Sequence, residues 1–406
     1  MCICEEMFCT GCGACKDICS HNCITFEAND TGAVYPVIDK EKCIDCGLCR
    51  KVCPNNNPLT FKTPAKVYAA WSKDEIQRRT SASGGIAAEM YKYILGNGGF
   101  SAGVTFDMMQ GALYIPLKNV DDIQKVKNSK YTFSNTNGIY KQIKEKLKDG
   151  VDVLFIGLPC QVAGLLNFLR KPYQNLTTVD IICHGLAPTE YIRQHIWSLE
   201  EKHNCKCSKM YFRDPAFLTH KFFMSLYAGD KCFYKKRARS FDVYQLGYHR
   251  ALIYRDNCYS CRYAKGERIS DLTIGDFSGL GKVQPCEFNG INVSCVLVNS
   301  EKGEIFIKSL NNVVLYERPI EEALNYEHQL KQPSIPHKNR QLFINEYKRT
   351  GNFESSAKLA LKEDLKSVVL YNVSPKRHIV KLVVKMTSKS FRKNLKALVN
   401  KVKNGK

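Results

Sequence analysis

The sequence predicts an α+β chain with a small cysteine-rich N-terminal unit, a larger mixed α/β unit and a helical, basic C-terminal tail. Eleven of the twenty cysteines fall before residue 54, in two runs that repeat. From residue 67 to about 300, strand-like and helix-like patterns alternate, as they do where helices cover a mainly buried sheet. Beyond residue 375, eleven Lys or Arg occur with no Asp or Glu. A chain of 406 residues exceeds what one hydrophobic core usually organises. Units are expected over 1–60, 65–300, 301–370 and 371–406.

In the first unit, Cys9, Cys12, Cys15 and Cys19 recur at Cys43, Cys46, Cys49 and Cys53, each shifted by 34 residues. Between the runs, apolar Ile24 to Phe26 and Val34 to Ile38 flank Asn29-Asp30-Thr31-Gly32, which predicts a hairpin. Asn55-Asn56-Asn57-Pro58 ends the pattern, and Lys62-Thr63-Pro64 reads as a linker. In the second unit, strands are expected at Val67 to Trp71, Val151 to Ile156, Val179 to Ile182, Leu272 to Ile274 and Val293 to Val298. Helices are expected at Ile86 to Leu95, Ile139 to Leu147, Gln161 to Leu169 and Thr189 to Lys202. Residues 301 to 365 read as mostly helical. The tail carries Ile379, Val380, Leu382, Val383, Phe391, Leu395, Leu398 and Val399 at helical spacing, the pattern of a basic amphipathic helix.

The longest apolar stretch, Val151 to Leu169, is broken by Asp152, Pro159, Gln161 and Asn167, so no membrane span is expected. Met1-Cys2-Ile3-Cys4-Glu5-Glu6 has neither the basic nor the apolar region of a secretory signal. The expected location is a reducing cytoplasm, where so many cysteines indicate metal binding rather than a disulfide framework. The formal net charge of +21 indicates an anionic partner.

A cubane cluster needs four thiolates. The C-x2-C-x2-C run lets one tight loop present three of them, while the fourth arrives from elsewhere; in two-cluster bacterial ferredoxins it comes from the other run. Cys9, Cys12, Cys15 and Cys53 then hold one 4Fe-4S cluster, and Cys43, Cys46, Cys49 and Cys19 the other. The first unit is therefore expected to be a bacterial-ferredoxin-like dicluster domain. Gly13 and Gly47 follow the second cysteine of each run, where the backbone can approach the cluster and donate to its sulfurs. Pro54 completes the second run, whereas Ser20 replaces proline in the first; proline is not a ligand. Structural zinc, the rival, favours two separated C-x2-C knuckles. Cys2, Cys4 and Cys23 are left over, as small residues near the clusters or incidental thiols.

Six motifs lie in the larger unit: Ser81-Ala82-Ser83-Gly84-Gly85, Ser129-Lys130-Tyr131, Gly157-Leu158-Pro159-Cys160-Gln161, Cys183-His184-Gly185, Cys258-Tyr259-Ser260-Cys261 and Ser270 to Asp276. In this order they resemble the coenzyme F-420 hydrogenase/dehydrogenase beta-subunit family, from about Val67 to about residue 300. The resemblance implies a flavin-binding-type domain with FAD, and electron transfer between iron–sulfur clusters and a flavin that exchanges hydride with a small acceptor such as a deazaflavin.

At a helix start, Ser81, Ser83, Gly84 and Gly85 would aim backbone N–H groups at a flavin pyrophosphate; a plain helix cap is the other reading. Gly157, Pro159 and Gln161 stand at a strand's carboxyl end, where α/β sheets take ligands. Ser129 and Lys130 are further cofactor-binding candidates, with Lys130 facing a phosphate or the reduced flavin. Lys130 and His184 are the two candidates for proton or charge handling. Cys160, Cys183, Cys258 and Cys261 are four in number, as a third 4Fe-4S cluster requires; buried thiols or a zinc site are open alternatives.

The reading is an iron–sulfur flavoprotein oxidoreductase passing electrons between 4Fe-4S clusters and FAD, then to a small organic acceptor. One alternative is an electron-transfer subunit without its own substrate site. Another, from a different class, is a zinc-stabilised protein binding an anionic polymer. Expected partners are a redox protein or a small electron donor or acceptor, with peripheral membrane contact through the tail. Nucleic acid is disfavoured because no recognised module accompanies the basicity.

Overall fold

The computed structural model describes residues 3–238 and 240–373. In the N-terminal unit, β1 (Ile24–Ala28) and β2 (Val34–Ile38) pair antiparallel, from Ile24 opposite Ile38 to Ala28 opposite Val34. Asn29 makes the turn: its Oδ1 accepts from the backbone N–H of Thr31 at 3.0 Å and of Ala33 at 3.2 Å. Short helices, Ala14–Ile18 and Leu48–Lys51, follow Gly13 and Gly47, which both take positive φ. Each carries the third cysteine of its run.

The larger unit is built on a mixed nine-stranded sheet. Its strands are β3 (Lys66–Ser72), β4 (Phe100–Asp107), β5 (Gly111–Leu117), β6 (Ser134–Asn135), β7 (Val153–Gly157), β8 (Leu176–Ile181), β12 (Leu272–Asp276), β13 (Ser294–Val298) and β14 (Val313–Arg318). A separate antiparallel sheet holds β9 (Lys209–Tyr211), β10 (Phe223–Ala228) and β11 (Lys231–Arg237). The order across the large sheet is β14-β3-β13-β12-β8-β7-β4-β5-β6. The centre, from β12 through β8 and β7 to β4, is parallel.

Strand β7 is buried along its whole length, as a parallel strand covered on both faces must be. Its side chains alternate between the two covers. Leu154 and Ile156 pack with Ile86, Met90 and Ile94 of the Ile86–Gly96 helix. Val153 and Phe155 pack with Ile139, Ile143 and Phe168 of the Ile139–Lys148 and Pro159–Leu169 helices. The second of these covers also receives Cys12, Ala14 and Val52, so the dicluster domain shares a core with the sheet's helices. At Gly164 the two meet so closely that a Cβ would lie 2.9 Å from the Cys12 Sγ.

Residues 301–370, expected as a helical extension, are not wholly helical, because β14 pairs with β3 and forms an edge of the sheet. The helices that follow, Arg340–Thr350 and Phe353–Ala360, pack on Thr189–His203 through Tyr191, Phe343 and Phe353. Among the described residues no helix is long and apolar enough to cross a membrane. The basic amphipathic tail, and the membrane contact expected of it, fall almost wholly on residues 374–406, outside the described residues.

Candidate iron–sulfur and cofactor site

The crossing over of the fourth cysteine follows from the hairpin, which turns the chain back so that each run's end meets the other run's loop. Cys9, Cys12, Cys15 and Cys53 lie together. Burial, reinforced by the neighbouring Cys9 and Cys53 thiols, pushes Cys12 up to about 12 and raises Cys15. Cys19, Cys43, Cys46 and Cys49 line one recess with Ile24, Ile38 and Leu48. The two sets of four thiols are the donor chemistry a pair of cubane clusters takes.

Two cysteines without an expected role stand beside these sets. Cys4 hydrogen bonds with both Cys9 and Cys53, and this contact is the main cause that lowers Cys9 to about 7 and Cys53 to about 6. The Cys23 Sγ lies 3.3 Å from that of Cys19. Nothing in their spacing shows this, because both come from outside the repeated runs.

Cys160, Cys183, Cys258 and Cys261, from three segments of the larger unit, also converge. Burial and the other three thiols all raise the pKa of Cys160, and Cys12 acts on it as well. Cys183 is raised by burial with Cys258 and Cys261 beside it, and burial and Cys261 push Cys258 up to about 11. As thiolates these four would be costly at such close and buried quarters unless a cationic core neutralised them. Cys160 sits in the first turn of the Pro159–Leu169 helix, where free backbone N–H groups favour a negatively charged neighbour. Among the described residues no three metal-binding side chains close on a single ion. Thiols around a cubane stand farther apart, since each ligates a different iron.

The hydrogen bonds of the remaining expected residues are largely committed within the protein. Ser81 Oγ donates to the Gln77 carbonyl at 2.7 Å and Ser83 Oγ to that of Val293 at 2.9 Å. The Gly84 N–H donates to Ser294 Oγ at 2.9 Å, and a Cβ at Gly84 would lie 2.3 Å from the Ala70 carbonyl oxygen. Gly85 caps the Ile86–Gly96 helix at φ +88. Gln161 accepts from Tyr114 Oη at 3.0 Å and from the Leu158 N–H at 3.2 Å, and donates to Ser134. With Pro159 in its first turn and no room for a side chain at Gly157, this loop fixes the helix start that bears Cys160.

Lys130 Nζ donates to the carbonyls of Val126, Lys127 and Asn128, and desolvation lowers its pKa to about 7. Ser129 neighbours it and hydrogen bonds with Tyr131, whose ring stacks on Tyr248 at 4.8 Å. Desolvation lowers the pKa of His184 against the pull of Glu327 and Asp276. Asp276, the last residue of the Ser270 to Asp276 motif, pairs with the buried Arg213 at 2.8 Å. Loop Ser81 to Gly85 packs on β3 and β13; Tyr131 hydrogen bonds with Arg213, and Asp276 acts on His184.

Residues 151–323 match the family model for the C terminus of the coenzyme F420 hydrogenase/dehydrogenase beta subunit, and residues 8–57 that for a 4Fe-4S dicluster domain. Over residues 151–323 the chain is thus similar to the coenzyme F420 hydrogenase/dehydrogenase beta-subunit family. A coenzyme F420-dependent sulfite reductase from Methanocaldococcus jannaschii is 27% identical over 193 residues, covering 45% of this chain and 29% of that protein. The chain thus matches under a third of that relative's length. A solved structure of the F420-reducing NiFe hydrogenase complex from Methanosarcina barkeri, prepared with xenon, aligns at 17% identity and a TM-score of 0.43, covering 75% of this chain and 91% of that one. In this chain the dicluster match precedes the beta-subunit match, which extends past residue 300 to include β14.

Proposed function

We propose that this chain is an iron–sulfur oxidoreductase in which electrons pass between the two N-terminal clusters and a flavin in the beta-subunit domain, by way of a third cluster on Cys160, Cys183, Cys258 and Cys261. The observation that carries the reading is the convergence of those four thiols on the side that packs against Cys12. It supports a continuous path from the dicluster domain inward.

The flavin, FAD by resemblance to the family, would supply the exchange between single electrons and hydride. The family and the sulfite reductase relative both carry the name of coenzyme F420, which makes that deazaflavin the first acceptor to try. On the protein's side, Gln161 and Pro159 orient Cys160, while Arg213, held by Asp276, presents a buried cation beside Tyr131. Serine and glycine at 81–85 pack on β3 and β13, and their internal hydrogen bonds leave less for a pyrophosphate than the sequence suggests. Lys130, held near neutrality in its pKa, is suited to exchanging a proton with a reduced cofactor.

The test is anaerobic purification with iron, sulfide and flavin analysis. About twelve iron per chain are expected from three clusters, falling to about eight in Cys258→Ser. Eight in the unaltered chain would remove the third cluster, and a flavin-free protein the flavin. The matched region is only 29% of the sulfite reductase relative, which favours a second reading as an electron-transfer module. Flavin reduction without turnover of any acceptor, F420 included, would select it.

A further inference from the structure

Each set of four ligand thiols in the dicluster domain has a fifth thiol against it. Cys23 is 4% exposed and lines the same recess as Cys19, Cys43, Cys46 and Cys49. Its Sγ lies 3.3 Å from that of Cys19 and is in hydrogen-bond contact with that of Cys43. Cys4 stands in the same contact with Cys9 and Cys53. In both places the extra thiol touches the first cysteine of one run and the fourth cysteine of the other.

Different parts of the chain bring these two thiols into place. The Asn22 N–H donates to the Cys19 carbonyl at 3.4 Å, with Asn22 at φ +50, and this turn folds Cys23 back onto Cys19. The Cys23 carbonyl then accepts from the Asp39 N–H at 2.8 Å, just beyond the end of β2, which fixes the backbone at that point. Cys4 belongs to the segment ahead of the first run, and residues that follow Cys53 pin that segment down. Asn55 Nδ2 donates to the Phe8 carbonyl at 2.8 Å and lies 3.8 Å from the Cys4 Sγ, while Asn56 Nδ2 donates to the Ile3 carbonyl at 2.9 Å. Packing asks only for a small side chain at either position. Two unrelated segments instead both deliver sulfur, the donor that iron takes here, to the junction of the two runs.

We propose that Cys4 and Cys23 are reserve ligands, each taking over an iron from either of the cysteines it touches when that cysteine is lost. In the exchange at Cys19, the bond from iron to the Cys19 sulfur breaks and a bond from the same iron to the Cys23 sulfur forms. The Cys23 thiol proton passes to the departing Cys19 thiolate, so charge and electron count are unchanged. The 3.3 Å contact gives that proton its path and keeps the exchange within reach of side-chain rotation. Cys4 does the same for Cys9 and Cys53. The proposal rests on the eight-ligand reading of the dicluster domain, and on neither the third cluster nor the flavin.

The test is iron and sulfide analysis of the full chain, purified anaerobically, with the reduced clusters counted by electron paramagnetic resonance. Cys19→Ala is expected to keep the iron of the unaltered chain, and Cys19→Ala combined with Cys23→Ala to lose about four iron, one cubane. Cys53→Ala, alone and combined with Cys4→Ala, is expected to repeat that pattern at the other cluster. Cys46→Ala, in the middle of its run, is expected to lose about four iron although Cys23 is present. Were Cys46→Ala to keep its iron, the ligand sets would fail and the proposal with them. Were Cys46→Ala and Cys19→Ala to lose iron alike, the ligand sets would stand and the reserve role would be overturned. It is overturned too if the Cys19→Ala, Cys23→Ala pair keeps all its iron, because another donor such as His21, in the same recess, would then be serving. Should Cys19→Ala fail to fold, Cys23→Ala decides, since it alters none of the eight expected ligands. It is expected to hold its full iron content but to surrender a cluster to a chelator several-fold faster than the unaltered chain, and an equal rate overturns the proposal.

Discussion

The Arg255 guanidinium, in a side chain only 1% exposed, donates through Nη2 to the Cys9 carbonyl oxygen at 3.2 Å. It also donates through Nη1 to the Val34 carbonyl at 2.9 Å and lies over the rings of Tyr35 and Phe133. Its own carbonyl accepts from the Cys258 N–H at 3.0 Å. One residue thus touches the ligand sets proposed for two clusters and fastens the dicluster domain to the sheet.

Arg255→Met should therefore act twice. Stripping the carbonyls of Cys9 and Val34 of their donor is expected to cost about 2–4 kcal/mol, since charged donors are worth more than neutral ones. Losing the buried cation should also lower the potential of the Cys9 cluster by roughly 50 mV, about a factor of ten for one electron. Thermal unfolding and a potentiometric titration followed by electron paramagnetic resonance measure the two effects separately. An unchanged potential in a folded variant would refute the electrostatic role.

Gly13 takes φ +82, and a Cβ there would lie 2.1 Å from Thr136 Oγ1. Gly13→Ala is expected to destabilise the docked domain by about 2–3 kcal/mol, about 1 of which is backbone strain. Adding Thr136→Ala removes the obstructing oxygen but not the strain. A double-mutant cycle on the unfolding midpoint should therefore show partial recovery, and simple additivity would contradict the contact.

His195 lies between two carboxylates, with Nε2 at 3.0 Å from Asp242 Oδ2 and Nδ1 against Glu354. Burial opposes its charge, but Asp242 and Glu354 prevail and raise its pKa from 6.5 to about 9. Because the folded value is the higher one, the stabilisation is complete below about pH 6.5 and is lost as pH rises through about 9. The unfolding midpoint is expected to fall over that window, by the equivalent of about 3 kcal/mol at most. Asp242→Asn should flatten the profile between pH 6.5 and 9.

The Gln161 side chain has four hydrogen bonds inside the larger domain, to Tyr114, Leu158 and Ser134. Gln161→Leu keeps the volume but leaves Tyr114 Oη, the Leu158 N–H and the Ser134 carbonyl short of a partner, at a cost of about 2–4 kcal/mol. If the loop at 157–161 positions Cys160 for a cluster, iron content should fall from about twelve toward about eight per chain. Full iron retention would show that the helix start needs no such bracing.

The cysteine runs and the hairpin between them were legible because their spacing is local. So were the Ile86–Gly96, Ile139–Lys148, Pro159–Leu169 and Thr189–His203 helices, each predicted within two residues at either end. What escaped was one hairpin and one long-range pairing. Residues 100–117 form the β4–β5 hairpin around Gly111 at φ +79, a turn without the Asn-Gly signature. Val313–Arg318 reads as part of a helical region until β3 is there to pair with it. At the site, the family motifs located Cys160, Cys183, Cys258 and Cys261 but not Arg255, since a lone arginine carries no pattern. Ser81, Ser83 and Gln161 looked available for a ligand because a sequence does not reveal which hydrogen bonds its own backbone will claim.

The 246 residues separating Arg255 from Cys9 also set an order of events during biosynthesis. The dicluster domain leaves the ribosome long before the residue that fastens it exists, and domains made first generally fold first. Its two cysteine runs are then open to the iron-delivery machinery on all sides, including the Cys12 face that the Pro159–Leu169 helix later covers. A cell starved of iron would on this account accumulate chains whose N-terminal domain is complete in sequence but unable to close against its neighbour, and degradation would be expected to begin at that loose end.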